Sequence, residues 1–120
     1  MSEQYVNVYR IEKRGRGPFG EGGWNASSCM DSSLPTPQYD SGLPELDFSE
    51  ITRYRFGAQT SQSLKQWIFD PSGLTKRGYK VSLYKAKKKY VHSSEIQSMF
   101  IKRHAKKVLE WDVETFYKEN

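Results

Sequence analysis

The sequence predicts an α+β fold: a small antiparallel or mixed sheet of about four to six strands, with one main helix packed on a face. In two segments, 5–11 and 81–86, successive side chains fit the two faces of a strand, and both contain the Tyr and Val that strands favour. A third segment, 61–69, has the apolar spacing of a helix. At 120 residues the chain is expected to form a single domain, residues 1–120.

A glycine-rich segment follows the first strand. Residues 15–23, GRGPFGEGG, predict turns, because Gly and Pro interrupt regular structure. Consecutive backbone amides in such a loop can also bind anions, so a second interpretation is a phosphate cradle to which Arg14 and Arg16 add charge. The segment lacks the Gly-Lys-Ser/Thr of a P-loop and the spaced glycines of a dinucleotide fingerprint. A turn-rich connection is therefore favoured.

A long loop rich in Pro and Ser is predicted at 24–48. More than about twenty residues without periodicity are unusual inside a compact domain, and this indicates a function or mobility. The loop is also acidic, since residues 24–52 contain no Lys or Arg and carry Asp31, Asp40, Glu45, Asp47 and Glu50. The chain is thus electrically asymmetric, with an acidic early part and a basic late part.

The main helix is predicted over 61–69. Thr60 or Ser61 is suited to cap its first turn, and Asp70 followed by Pro71 predicts its end. Trp67 and Phe69 are expected in the core. A second turn or short helix over 71–77 would stop at Gly78, because glycine readily adopts the conformation that ends helices.

The remaining strands are predicted in the late part of the chain. After the strand at 81–86, the runs 96–101 and 108–111 are strand-like, and the segment 87–95 between the first two is expected to be a hairpin or wide loop. The last residues are expected to form a short helix or a tail.

The late part of the chain is strongly basic. Between residues 76 and 108 there are eleven Lys or Arg and one acid, Glu95. The basic residues cluster where strands are predicted to end, which would project them into water. We call the following set the basic face: Lys85, Lys87, Lys88, Lys89, Lys102, Arg103, Lys106 and Lys107, with the aromatic Tyr84, Tyr90 and Phe100 between them.

The basic face has the composition of a binding surface for an acidic protein, a nucleotide or nucleic acid. Two interpretations without a foreign partner stay open. In one, the cations form a solvated rim that keeps a Tyr-rich protein soluble; in the other, oppositely charged patches form homo-oligomers.

The sequence contains few candidates for a catalytic or metal-binding site. Cys29 is the single cysteine and excludes an internal disulfide or a Cys-based zinc site, and His92 and His104 lack metal-binding spacing. No hydrolase or metalloprotease motif occurs. We therefore predict no metal, no cofactor and a binding protein rather than an enzyme. Without a signal peptide or an apolar run of membrane length, we expect a cytoplasmic protein with no membrane contact.

The order of several short motifs resembles small accessory proteins carried by bacteriophages and prophages. These motifs are VYRIEKRGRGPF, LPTPQYDSG, RFGAQTSQSLKQWI, GYKVSLYKA and IQSMFIKRHAKKV, spread over residues 6–109. The resemblance implies a phage protein that counters a host defence or redirects a host enzyme from within the host cytoplasm. With the basic face it leads to the favoured hypothesis, binding of a host factor.

A weaker similarity concerns ADP-ribosyltransferase-like folds. Arg10 lies on the first predicted strand, Gly22-Gly23-Trp24-Asn25 follow, and Ser94-Glu95-Ile96-Gln97 lie near a late strand. The similarity implies that Arg10 would bind a phosphate of NAD and that Glu95 or Gln97 would occupy the acidic catalytic position. Gln97 departs from the pattern because an amide supplies no negative charge.

Overall fold

Two antiparallel sheets of three strands each are formed by the residues that this computed structural model describes, 4–18, 27–31, 33–35, 40–45, 47, 50 and 53–120. Helices accompany these two sheets in the described part of the chain, so the predicted α+β class is confirmed. The strands are β1 (Tyr5–Glu12), β2 (Tyr54–Gly57), β3 (Lys80–Lys87), β4 (Val91–Ser93), β5 (Ser98–Ile101) and β6 (Ala105–Asp112).

The first sheet has the order β1-β3-β6. Its central strand β3 pairs with β1 over its whole length and with β6 from Lys80 to Ala86. Its Val, Ser, Leu and Tyr side chains at 81–84 are all buried, because both faces of this sheet are covered. The strands predicted at 5–11 and 81–86 are confirmed. The strand predicted at 108–111 begins earlier, at Ala105, because β6 continues pairing past a bulge opposite the junction of Leu83 and Tyr84.

The second sheet has the order β2-β5-β4. The strand predicted over 96–101 starts at Ser98, and β4 lies inside the segment expected to be a hairpin or wide loop, where it pairs with β5. An isolated β-bridge connects the two sheets, since Tyr9 and Ala58 exchange backbone hydrogen bonds of 2.7 and 2.8 Å.

Three short α-helices occur in the described part of the chain: α1 (Ser61–Lys65), α2 (Pro71–Lys76) and α3 (Val113–Glu119). The single helix predicted over 61–69 therefore ends four residues early. After Lys65 the chain turns, Ile68 forms a β-bridge with Met30, and the amide of Asp31 donates to the carbonyl of Trp67 at 2.8 Å. Asp70 then caps α2, and Gly78 ends this helix with a φ of +86°, as predicted.

The core is divided between the two faces of the first sheet. On one face the helices cover Ile11 and Val81, and buried Leu74, Val113 and Phe116 fill this side. On the other face the second sheet packs through Phe100 against Val8, Tyr84 and Ala86. Each half of the fold thus depends on β1 and β3, which contribute side chains to both.

Trp67 and Phe69 have opposite environments, although both were predicted in the core. Trp67 is buried and its indole donates to the carbonyl of Ile96 at 3.0 Å, whereas Phe69 is 75 % exposed. The prediction was wrong for Phe69 because the helix that would have turned it inward has already ended.

Parts of the segment predicted as a long loop at 24–48 are attached to the domain. Ser27–Cys29 forms a 3₁₀ turn, and Cys29, Met30 and Leu43 are buried. Asp40 accepts hydrogen bonds from the Ser94 hydroxyl and from the Gln97 amide at 2.8 Å. Residues 24–26, 32, 36–39, 46 and 48 of this prediction lie outside the described residues.

Removal of the α1 cap should give a measurable loss of stability. The Thr60 hydroxyl accepts from the Ser63 amide at 3.0 Å, so a Thr60→Ala variant should lose about 1 kcal/mol of unfolding free energy in a urea titration. A Gln62→Ala change at an exposed position of the same helix is the control and should be close to neutral. Equal losses in both variants would mean that the cap contributes nothing specific.

Candidate functional site

Two short basic turns lie side by side at the ends of strands. Residues Lys88–Tyr90 form a 3₁₀ turn after β3, and Lys102–His104 form another after β5. The rings of Tyr90 and His104 stack with their centroids 3.7 Å apart and their planes 9° from parallel. We call the two turns together the basic turn pair. Its cations are Lys88, Lys89, Lys102 and Arg103, all of them exposed.

The sequence showed only that His104 lacks metal-binding spacing, and its role in joining the turns was missed. The signal available in the sequence was the repeat of two cations followed by a ring, KKY and KRH, at the two predicted strand ends. Sequence alone does not show that these two repeats are neighbours, because their contact depends on how the second sheet packs on the first.

The cations of the basic turn pair form no ion pair with any described carboxylate. Lys88 donates a long hydrogen bond of 3.4 Å to the side-chain oxygen of Gln4, and the Lys89 ammonium lies 5.2 Å from the centroid of the Tyr90 ring. Lys107 and Arg10, outside the basic turn pair, do form ion pairs with carboxylates. The basic turn pair is therefore a site of concentrated, weakly compensated positive charge.

The Arg14 turn lies close to the basic turn pair. The backbones of Lys13 and Arg16 exchange two N–H···O hydrogen bonds of 2.8 and 3.0 Å. Arg14 and Gly15 between them have φ values of 52° and 80°. A methyl group on Gly15 would lie 3.2 Å from the Lys102 ammonium. Arg14 and Arg16, predicted to bind phosphate, are exposed in this turn and extend the positive surface. Residues 19–23 of the predicted cradle lie outside the described residues.

Three other members of the basic face lie on or beside the first sheet. Lys85 on β3 is opposite Lys106 on β6, so these two ammonium groups share one face of the sheet. Lys85 also donates to the side chain of Asn7 at 3.3 Å. Lys87 ends β3 opposite Tyr5 and is half-buried.

Lys107 does not share the face of Lys85 and Lys106, because successive side chains of β6 point to opposite faces of the sheet. It lies on the opposite face of the sheet, where its ammonium is 3.0 Å from Glu12 and 3.2 Å from Glu110. Burial alone would lower the pKa of Lys107, but the two carboxylates outweigh it and the pKa is raised. Tyr84 and Phe100, expected between the surface cations, are core residues. The basic face is thus not one continuous surface.

Glu12 is the centre of a buried polar cluster that the sequence did not reveal. It is 3 % exposed and accepts from Arg10 at 3.0 Å, Ser82 at 2.9 Å and Tyr84 at 2.8 Å. Burial by itself would raise the pKa of Glu12, but these donors and Lys107 hold the pKa below its ordinary value. Burial and the hydrogen bond to Glu12 raise the pKa of Tyr84 to about 12.

Two of the three residues suggested by the ADP-ribosyltransferase similarity, Arg10 and Gln97, are buried in structural contacts. Arg10 is 4 % exposed and donates to Glu12, to the Phe56 carbonyl at 3.0 Å and to the Gly15 carbonyl at 3.1 Å. Gln97 is also 4 % exposed, and its side-chain amide donates a hydrogen bond to Asp40. Glu95 is exposed in the turn before Gln97. This arrangement gives Arg10 a structural task between the sheets.

The described residues include neither a metal-binding cluster nor a membrane-spanning helix. No group of three or more His, Cys, Asp and Glu side chains among them is placed to hold a metal ion. None of the helices in this part of the chain has the length and apolar character to span a membrane.

Comparison with known proteins gives one family. The family model described as Bacteriophage T4 Y00F protein matches residues 1–114. Neither a curated protein nor a solved structure matches the chain.

Proposed function

The chain belongs to the Bacteriophage T4 Y00F protein family, and from this premise we propose that it is a phage accessory protein that acts by binding in the host cytoplasm. Its binding surface is the basic turn pair, and its partner is an acidic surface of a host protein. The consequence of binding is inhibition or redirection of that host factor, for example one that serves in defence. The observation that carries the proposal is the stack of Tyr90 on His104, which holds the two cationic turns together. The exposed cations of these turns form no ion pair with a described carboxylate; they are Lys88, Lys89, Lys102 and Arg103.

The physical argument rests on the electrostatic potential of this surface. Like charges held close together repel one another, and an anionic partner relieves that repulsion when it binds. Lys88, Lys89, Lys102 and Arg103 are exposed on two short turns, so several carboxylates of a partner can reach them at once. Such a surface accelerates encounter and selects partners by charge.

The aromatic rings favour a protein partner over single-stranded nucleic acid. Binding of single strands normally uses exposed aromatic faces on which bases stack. One face of Tyr90 is covered by His104 at 3.7 Å, and the Lys89 ammonium is 5.2 Å from the ring centroid. Because the Tyr90 ring is already occupied, the cations remain as the main means of recognition.

A matched pair of charge-reversal variants tests the proposal. One variant replaces Lys88, Lys89 and Arg103 by Glu, and the control replaces Lys76, Lys80 and Lys118, which are also exposed, by Glu. Both changes alter the net charge equally. The purified chain is immobilised and used to capture a host protein from nuclease-treated lysate. The affinity of the captured protein for each variant is then measured by titration. The first variant should bind about a hundredfold more weakly, because each reversal replaces an attraction of about 0.5 kcal/mol by a repulsion of similar size.

The outcomes separate the partner classes. Equal binding by both variants would remove the basic turn pair from consideration. Capture that disappears after nuclease treatment, with an affinity that falls steeply with salt, would indicate nucleic acid instead of a protein partner.

A further inference from the structure

The outer edge of β6 is an exposed strand edge eight residues long. In the order β1-β3-β6 this strand is last, and no described strand pairs with its outer side. Residues 106–110 are all exposed, and Val108 and Leu109 are 38 % and 53 % exposed. An edge of this kind presents unpaired backbone N–H and C=O groups that can bind another strand.

Lysines and bulges often protect such edges, and β6 has both. Its bulge lies at Val108, which has no partner on β3. The neighbouring Leu109 pairs with Leu83, and Lys107 pairs with Tyr84. The Lys107 side chain, however, is drawn onto Glu12 at 3.0 Å. Its charge is therefore partly neutralised and does not stand at the edge as an unpaired cation.

We propose that a second copy of this chain occupies the edge, with its own β6 antiparallel to the first and a twofold axis at the bulge. In this register Lys107 is opposite Glu110 of the second copy, and Ala105 is opposite Asp112. The exposed Val108 and Leu109 of the two copies then meet at the centre. Lys107 and Glu110 are already paired within each copy at 3.2 Å, so in the dimer the two pairs form one group of four alternating charges. This group and the central contact of Val108 with Leu109 are both repeated by the twofold axis, which an unrelated strand would not reproduce.

The pairing joins the two first sheets into one sheet of six strands. The basic turn pair precedes Ala105, so the two copies of it lie at opposite ends of the paired β6 strands, about 23 Å apart along them. The proposal goes beyond the binding function, since the dimer forms without any host partner.

Sedimentation of the purified full chain over a concentration series tests the dimer. The wild-type protein should reach twice its monomer mass of 14.0 kDa. A Leu109→Lys variant should remain a monomer, because two like charges would meet at the centre. A Tyr5→Lys variant should dimerise like the wild type, because Tyr5 is equally exposed, at 53 %, but lies on the opposite edge strand β1.

A second measurement fixes the register independently of these variants. A Leu109→Cys variant treated with copper phenanthroline should give a disulfide-linked dimer, whereas Tyr117→Cys, on α3 and 40 % exposed, should not. A wild-type chain that stays monomeric throughout the series would overturn the proposal. Dimerisation of Leu109→Lys to the same extent as Tyr5→Lys would also overturn it.

Discussion

Replacing Glu12 by Gln is expected to cost about 3–5 kcal/mol of unfolding free energy, because it leaves the buried Arg10 guanidinium without its counter-charge. Arg10 and Glu12 are 4 % and 3 % exposed, so water cannot replace the lost partner. The Gln amide keeps a single acceptor oxygen, so its NH2 group would face either Arg10 or the donors Lys107, Ser82 and Tyr84, which now share the other oxygen. A cost of this size is a large fraction of the stability of a small domain.

Urea unfolding at one fixed protein concentration measures this cost. Glu95→Gln is the matched control, since Glu95 is exposed and the same chemical change there should alter the unfolding free energy by less than about 0.5 kcal/mol. A loss below about 1 kcal/mol in Glu12→Gln would show that the buried cluster does not hold the sheets together.

The cost should depend on pH in a defined direction. The pKa of Glu12 is lower in the folded protein than its ordinary value of 4.5, so the unfolded chain takes up protons first as the pH falls. The stabilisation is complete above pH 4.5 and is lost as the pH falls through the folded pKa. The difference between wild type and Glu12→Gln should therefore shrink in acid. A difference that stays constant down to low pH would mean that the carboxylate charge is not its source.

The alternating strands and the helix caps were predictable from local sequence. The Tyr5–Glu12 strand and the Thr60 cap follow from side-chain alternation and from a hydroxyl at the start of a helix. The division of six strands into two sheets was not predictable, because it depends on long-range contacts such as the Tyr9–Ala58 bridge. The early end of α1 likewise results from the pairing of Ile68 with Met30, which are far apart in the sequence.

The candidate site was predictable in composition but not in geometry. The cations at strand ends could be read directly, and Lys88, Lys89, Lys102 and Arg103 are indeed at the ends of β3 and β5. Lys107 could not be separated from Lys106, because the alternation that turns it towards Glu12 depends on the register of β6 against β3. The cluster around Glu12 was hidden for the same reason, since Ser82 and Tyr84 are about seventy residues away in the chain.

Phe100→Ala is expected to lose about 3–5 kcal/mol, because it opens a cavity between the two sheets. Phe100 is fully buried on the central strand of the second sheet, and its ring centroid is 5.2 Å from that of Tyr84 on the first. Val8 and Ala86 complete the same cluster. Phe69→Ala is the matched control: its ring is 75 % exposed, so the same truncation should be close to neutral in thermal and urea unfolding.

The Phe100 truncation should also weaken partner binding, and this links the core to the basic turn pair. Phe100 is followed by Ile101 and then by the Lys102–His104 turn, so the position of that turn depends on how β5 is held against the first sheet. When Phe100 is lost, His104 should no longer be fixed on Tyr90, and the two sets of cations should separate. Phe69→Ala should bind the partner like the wild type. If Phe100→Ala protein, checked to be folded, bound the partner unchanged, the stacked turns would act independently of the core, and each turn would have to be tested as a separate site.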